Sequence, residues 1–208
     1  KEAGTARRLV VEARRELERQ TAALRELEKD VHRRAMARDL AAELAKPEEQ
    51  ANLMKCALLL ARHDNAELEV NAYLRALERL AAEVKDLPEI KQGGEAAVLR
   101  LNQFLFEENG FHGSRNDYRS LSNSYVNEVI EDREGLPITL SVVYLELARL
   151  AGVRGVFGVP LPGKFMVGYH ASPDEGLKLV DVFERGRLLT VEEAEAELAA
   201  LGNVPEEE

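Results

Sequence analysis

Val10, Ala13, Leu17, Leu24, Leu27 and Val31 recur at alternating spacings of three and four, with Gln20 filling one place in the seam. That spacing lays them along one stripe of a helix, so residues 5–45 read as one long helix or two broken ones. The repeat covers about three heptads. After Val31 it drifts to Met36, Leu40 and Leu44. Two readings fit: a helix packed on its own domain, or a coiled coil made with a second copy or a partner chain. Arg14 and Glu18 sit one turn apart and add weak surface support.

Pro47 with Glu48 and Glu49 predicts a new helix, since proline suits a first turn and acids suit the positive helix end. That helix is expected over 48–62, carrying Leu53, Met54, Cys56, Leu58, Leu59 and Leu60. His63, Asp64 and Asn65 form a turn. An amphipathic helix over 67–84 follows, with Val70, Tyr73, Leu77, Leu80 and Val84 inward. Pro88 and the Gly93 and Gly94 pair break the chain. A helix over 95–109 places Val98, Leu101, Leu105 and Phe106 on one face and ends at Gly110, as a left-handed cap would. A polar loop with Phe111 and Tyr118 leads to Ser122 or Asn123, either of which can cap a helix through Glu131, with Gly135 as the stop. Pro137 opens a further helix, ending near Leu150 with Gly152 behind it. Beyond it the period becomes alternating, predicting strands over 153–159, 165–169 and 177–183 with a stiff turn over 160–163. Thr190 caps a last helix over 191–201, and an acidic tail over 202–208 follows, whose 206–208 end is expected to fray. The fold class is α+β: a helical N-terminal half followed by a small antiparallel sheet.

Composition narrows the function classes. The 208 residues are 45% hydrophobic and 32% charged, and suffice for one or two domains. A net charge of -10 argues against nucleic acid as a partner, because phosphates require a basic surface. Residues 1–46 carry 12 Lys and Arg against 9 Asp and Glu, so the arm is mildly basic and the remainder strongly acidic. Cys56 is the single cysteine, which excludes an internal disulfide and fits a reducing, cytoplasmic compartment. The chain begins at Lys1, for which a removed export signal and a trimmed chain are equal explanations. No apolar stretch reaches the roughly 18 residues of a membrane span. His32, His63, His112 and His170 are scattered without zinc spacing, so no metal is expected. No phosphate-cradling glycine loop is present and no cofactor is expected. Cys56, inside an apolar run, reads as a buried small hydrophobe rather than a nucleophile.

Five stretches stand in a telling order: 101–111 (LNQFLFEENGF), 123–127 (NSYVN), 135–141 (GLPITLS), 162–167 (PGKFMV) and 180–183 (VDVF). Together they resemble the SirB-type branch of the transglutaminase-like superfamily, over roughly residues 47–201. Residues 1–46 lie outside the resemblance. Members of this branch often continue into further C-terminal helices, so the chain reads as a short member or a fragment. The resemblance implies a papain-like α+β core. It also implies a Cys opening the central helix, with a His and an Asp from the strands that follow. Such a trio splits an amide by thiolate attack, with His moving the proton and Asp orienting His.

On that pattern the Cys position falls on Pro137, the His position on Lys164 and the Asp position on Asp181. Only the third member is retained, so the resemblance implies a binding or scaffold module rather than a catalyst. A substitute nucleophile is the alternative. Thr139 and Ser141 follow Pro137 on the same helix, turned about 200° and 40° from it at about 100° per residue. Ser141 with Lys164 and Asp181 is therefore the catalytic alternative, and a hydroxyl bonded back to the helix backbone is the simpler reading of Ser141. Lys164 and Asp181 also read as a residual ion pair. A pocket framed by Asn123, Tyr125, Lys164 and Asp181 would hold a peptide or an anionic small molecule, although helix capping is the simpler reading of Asn123. The branch commonly has Asn where Ser114 stands, a Tyr-Asp-Pro run where Arg119, Ser120 and Leu121 stand, and a second Arg at Asp132. The expected partner is a protein or peptide, with homo-oligomerisation through residues 5–45 as a further option.

Overall fold

The computed structural model describes residues 2–47, 50–115, 118–171 and 176–202. Glu48, Glu49 and the acidic 206–208 end lie outside the described residues. The long heptad-bearing segment is one unbroken helix, α1 (Glu2–Leu44). It packs on α2 (Leu53–Arg62) through its C-terminal part, where Met36 is buried and Leu40 partly so. His32 fixes the approach, its Nε2–H donating to the Arg62 carbonyl at 2.8 Å. The start of α2 differs from the sequence expectation. Pro47 closes only a turn, its carbonyl accepting from the Gln50 and Ala51 amides, and the helix begins at Leu53. The reason is Asn52, whose side-chain oxygen accepts from the Lys55 amide at 2.7 Å and makes the cap that Pro47 cannot.

Next come α3 (Val70–Val84), a short α4 (Pro88–Gln92) and α5 (Gly94–Asn102), which continues into a π-helical segment, Gln103–Glu108. Pro88 thus opens a helix rather than breaking one; the junction falls at Gly93, with φ 77°. Two-residue strands β1 (His112–Gly113) and β2 (Glu134–Gly135) pair in parallel, flanking a 3-10 turn (Leu121–Ser124) and α6 (Val126–Asp132). Neither Ser122 nor Asn123 caps α6; Tyr125 occupies that place in extended conformation. Arg133, at φ 62°, closes the helix in the left-handed region. Gly135 is required for a different reason, since a Cβ there would lie 2.9 Å from both Thr139 Oγ1 and Val129.

The central helix is α7 (Pro137–Ala151), with proline at its first turn and Gly152 at φ 83° behind it. It is buried nearly all round, because Leu140, Val143, Tyr144, Leu147 and Ala148 meet helices on one side and the sheet on the other. The sheet is an antiparallel meander of β3 (Val156–Leu161), β4 (Lys164–His170), β5 (Leu177–Asp181) and β6 (Arg187–Thr190). Pairing of Leu161 with Lys164 shrinks the expected four-residue turn to Pro162 and Gly163. Pro160 belongs to β3, an edge strand where a missing N–H is tolerated. The fourth strand, β6, is only four residues long with polar residues at both ends, and the alternation pattern does not reveal it. Val167, Tyr169 and Val180 face α7, while Met166, Leu179 and Leu189 form a second cluster with Ala194 of α8 (Val191–Gly202). Thr190 caps α8 reciprocally: Thr190 Oγ1 accepts from the Glu193 amide and Glu193 Oε2 from the Thr190 amide. No helix among the described residues is long and apolar enough to cross a membrane.

Candidate functional site

Three elements converge at the N-terminal end of α7. The β3–β4 turn delivers Lys164, the end of β5 delivers Asp181, and the first turn of α7 presents Pro137. Together with Tyr118, Gly163, Phe165, Phe183 and Glu184 they line a cleft of about 210 Å³. The three positions assigned from the resemblance therefore share one site. Its walls are aromatic: Tyr118 meets Phe183 edge-on, with ring centroids 6.2 Å apart. Phe183 is seated against bare backbone, because a Cβ on Gly113 would come within 2.4 Å of its ring. On the far side of Phe183 and Glu184 lies an adjoining cleft of about 260 Å³ lined also by His112, Arg115, Glu134 and Arg185.

Asp181 is buried and its carboxylate is divided between two tasks. Oδ1 accepts from the Phe183 and Glu184 amides, both at 3.1 Å, and so folds the turn after β5. Oδ2 lies 3.6 Å from Lys164 Nζ and 3.9 Å from an Arg187 guanidinium nitrogen. Glu197 of α8 completes a four-charge group, 3.0 Å from Lys164 and 2.6 Å from Arg187. Hydrogen bonds first from Lys164 and then from Arg187 hold the Glu197 carboxyl below its ordinary range. In this setting Lys164 Nζ donates a hydrogen bond to Glu197 and only an ion-pair contact reaches Asp181. The same turn is anchored from below. Asn102 Nδ2 donates to the Gly186 carbonyl at 2.7 Å while its Oδ1 accepts from the buried Tyr144 hydroxyl at 2.9 Å. A chain of hydrogen bonds thus ties α5, α7 and the β5–β6 turn together.

Ser141 is fully buried and its hydroxyl donates to the Pro137 carbonyl at 2.8 Å. It does not line the cleft. Thr139 is likewise spent on backbone, its Oγ1 donating toward the Asn123 carbonyl at 2.9 Å and accepting from the Leu136 amide at 3.0 Å. Asn123 is buried beside β1, its amide donating to Ser114 Oγ at 3.0 Å. Tyr125 points elsewhere: its hydroxyl donates to Asp64, and its ring borders a groove between α1 and α2. The four residues expected to frame one pocket are therefore split. Lys164 and Asp181 meet in the cleft, whereas Asn123 supports it from within and Tyr125 faces the N-terminal helices. Cys56 is buried in α2, with burial pushing its thiol up.

Sequence reasoning did not find Glu197, Arg187 or the aromatic walls. Glu197 lies on a face of α8 with acids on every side, and only the docking of α8 on the sheet selects it. A second buried charge group escaped notice for the same reason. Glu43, near the end of α1, accepts from Lys46 and Lys55, each at 2.8 Å, and from the Asn52 amide at 3.1 Å. The hydrogen bonds from Lys46 and Lys55 pull its carboxyl down to about 2. Asn52 also donates to Glu146 of α7 at 3.3 Å, so α1, α2 and α7 are pinned at one point.

Comparison with known proteins places relatives beside this geometry. The model of the transglutaminase-like superfamily matches residues 71–206. A UPF0162 protein of Xylella fastidiosa is 34% identical over 146 residues, which is 70% of this chain and 51% of the relative. A UPF0162 protein of Vibrio cholerae is 28% identical over 130 residues, covering 61% and 47%. F-box only protein 21 of Homo sapiens is 34% identical over 102 residues, covering 46% of this chain and 16% of its own. The chain spans about half the length of the UPF0162 relatives. No solved structure matches.

Proposed function

This chain belongs to the transglutaminase-like superfamily, and from that premise we propose that it acts as a non-catalytic module that binds an extended protein or peptide segment in the cleft over Pro137. The observation that carries the reading is the occupancy of the cleft. Proline, which has no nucleophile, sits at the mouth of the central helix facing Lys164 and Asp181. The nearest hydroxyls on that helix are turned into backbone hydrogen bonds. Two small clefts meet at Phe183 and Glu184, and rigid aromatic walls beside charged rims suit a peptide, with side chains held alternately. That the matching segment makes up only 16% of F-box only protein 21 fits a domain used as a module.

The test has two arms. Folded protein incubated with fluorogenic amide and ester substrates, and with a fluorophosphonate probe, shows neither turnover nor labelling. Turnover that Ser141→Ala abolishes would establish instead a hydrolase or acyltransferase using Ser141 with Lys164. In the second arm, displayed random peptides selected on the protein lose affinity at least tenfold for Phe183→Ala and Lys164→Met, with unfolding midpoints measured alongside. Selected peptides that bind both variants as well as the parent place recognition outside the cleft.

A further inference from the structure

From Arg25 to Lys29 one face of α1 borders a groove toward His63, Asp64 and Ala66, and before it α1 runs free from Arg7 on; Val10, Leu17, Leu24, Leu27 and Val31 are each more than half exposed. They form one stripe about 33 Å long at 1.5 Å per residue. Helix packing on α2 begins only at His32 and Met36. Four ion pairs one turn apart support the free part, between Arg14 and Glu18, Arg19 and Glu16, Lys29 and Glu26, and Arg34 and Asp30. Such pairs contribute about 0.2–0.5 kcal/mol each and leave the apolar stripe in water. We propose that a second copy of this chain covers the stripe, the two α1 helices packing antiparallel about a twofold axis between Leu17 and Gln20.

Size and charge select this occupant and this direction. In a parallel pair identical positions meet, so Ala13 faces Ala13 and leaves a gap, and Gln20 faces Gln20 across an apolar seam. The flanking pairs there would be Leu9 with Arg14, Glu16 with Thr21 and Ala23 with Glu28, none of them opposite in charge. Antiparallel about this axis, Val10 faces Leu27, Ala13 faces Leu24 and Leu17 faces Gln20, so each small or polar residue meets a large apolar one. Flanking the seam, Arg7 lies beside Glu28 of the other copy, twice by symmetry. Neither residue has an ion pair within its own chain among the described residues. The wider charge pattern agrees. Residues 7–15 carry Arg7, Arg8, Arg14 and Arg15 against Glu12 alone. They would lie opposite residues 22–30, where Glu26, Glu28 and Asp30 outnumber Arg25 and Lys29.

Sedimentation velocity of the full chain over a concentration series, together with cysteine cross-linking, tests the pairing. The chain is expected to convert from monomer to dimer with rising concentration. Leu24→Glu shifts the dissociation constant at least tenfold toward monomer; because Leu24 is exposed, the domain's own unfolding midpoint stays unchanged. Val10→Cys and Leu27→Cys chains, mixed and oxidised, form a disulfide-linked heterodimer, whereas either alone stays unlinked. In the antiparallel pair the two Val10 positions are about 25 Å apart. The native thiol at Cys56 is buried and does not compete. A chain that stays monomeric throughout, or dimers indifferent to Leu24→Glu, overturns the interface. Rapid self-linking of Val10→Cys overturns the antiparallel direction.

Discussion

Single residues set what the cleft over Pro137 can offer a ligand. Proline stands at the head of the central helix, and the Lys164 ammonium lies between the carboxylates of Asp181 and Glu197. Asp181 also folds the turn after β5, its carboxylate accepting two backbone amides. Outside the cleft, Glu43 carries the largest electrostatic consequence among the acids. Its carboxyl is held at about 2 in the fold against an ordinary 4.5. A depressed value means that the ionised form stabilises the fold. The contribution is complete above pH 4.5 and drains away as the pH falls toward 2. Glu43→Gln should therefore cost about 1–3 kcal/mol at neutral pH, read from urea midpoints. The gap between variant and parent should close on acidification. A gap constant from pH 7 to pH 2 would show that Glu43 ionisation is not what pins α1.

At the scale of elements, periodicity worked where one face alone is buried. It located α3 and the strands from β3 to β5, whereas α7, buried nearly all round, was legible from Pro137 and Gly152 at its ends, and α8 from Thr190 at its start. It failed where an element is too short to carry a period. β1, β2 and β6 have two to four residues, and they form because neighbours offer backbone partners. The helix starts at Asn52 and Tyr125 were missed for a related reason. Several residues near each end can cap, and tertiary contacts choose among them. α8 matters to the site because it alone brings Glu197 to Lys164 and Arg187. Thr190→Ala is expected to cost about 1 kcal/mol. Faster hydrogen exchange should follow in the first turns of α8, with the amides of β4 and β5 unchanged. Unaltered exchange in α8 would mean that its packing on Leu179 and Leu189, rather than its cap, holds it.

For the whole molecule, α1 changes character along its length, exposed through most of its N-terminal part and packed on α2 from His32 onward. The sequence suggests a boundary at residue 46, where the resemblance begins. The packing instead supports a boundary near residue 31, since Met36 and Glu43 are buried in the domain. Two deletions separate these choices. At concentrations where the chain is monomeric, removing residues 1–30 should leave the urea midpoint in place. Removing residues 1–46 should lower the stability by several kcal/mol, roughly 2 for burial of Met36 and a similar amount for Glu43. Equal midpoints for the two deletions would restore the boundary at residue 46.

What the sequence determined by itself is the family, the α+β class, the central helix behind Pro137 and the choice of Pro137, Lys164 and Asp181 as positions that share one site. These depend on local order along the chain: turn residues, periodic apolar positions and motifs at fixed spacing. Only the tertiary structure decided that Tyr125 turns away from the cleft and that Glu197 and Arg187 join the charge group. It alone also divided α1 into a docked part and an exposed stripe. Each of those outcomes depends on which surfaces meet across the fold. A polar or apolar face on one helix carries no information about its partner until packing has chosen one.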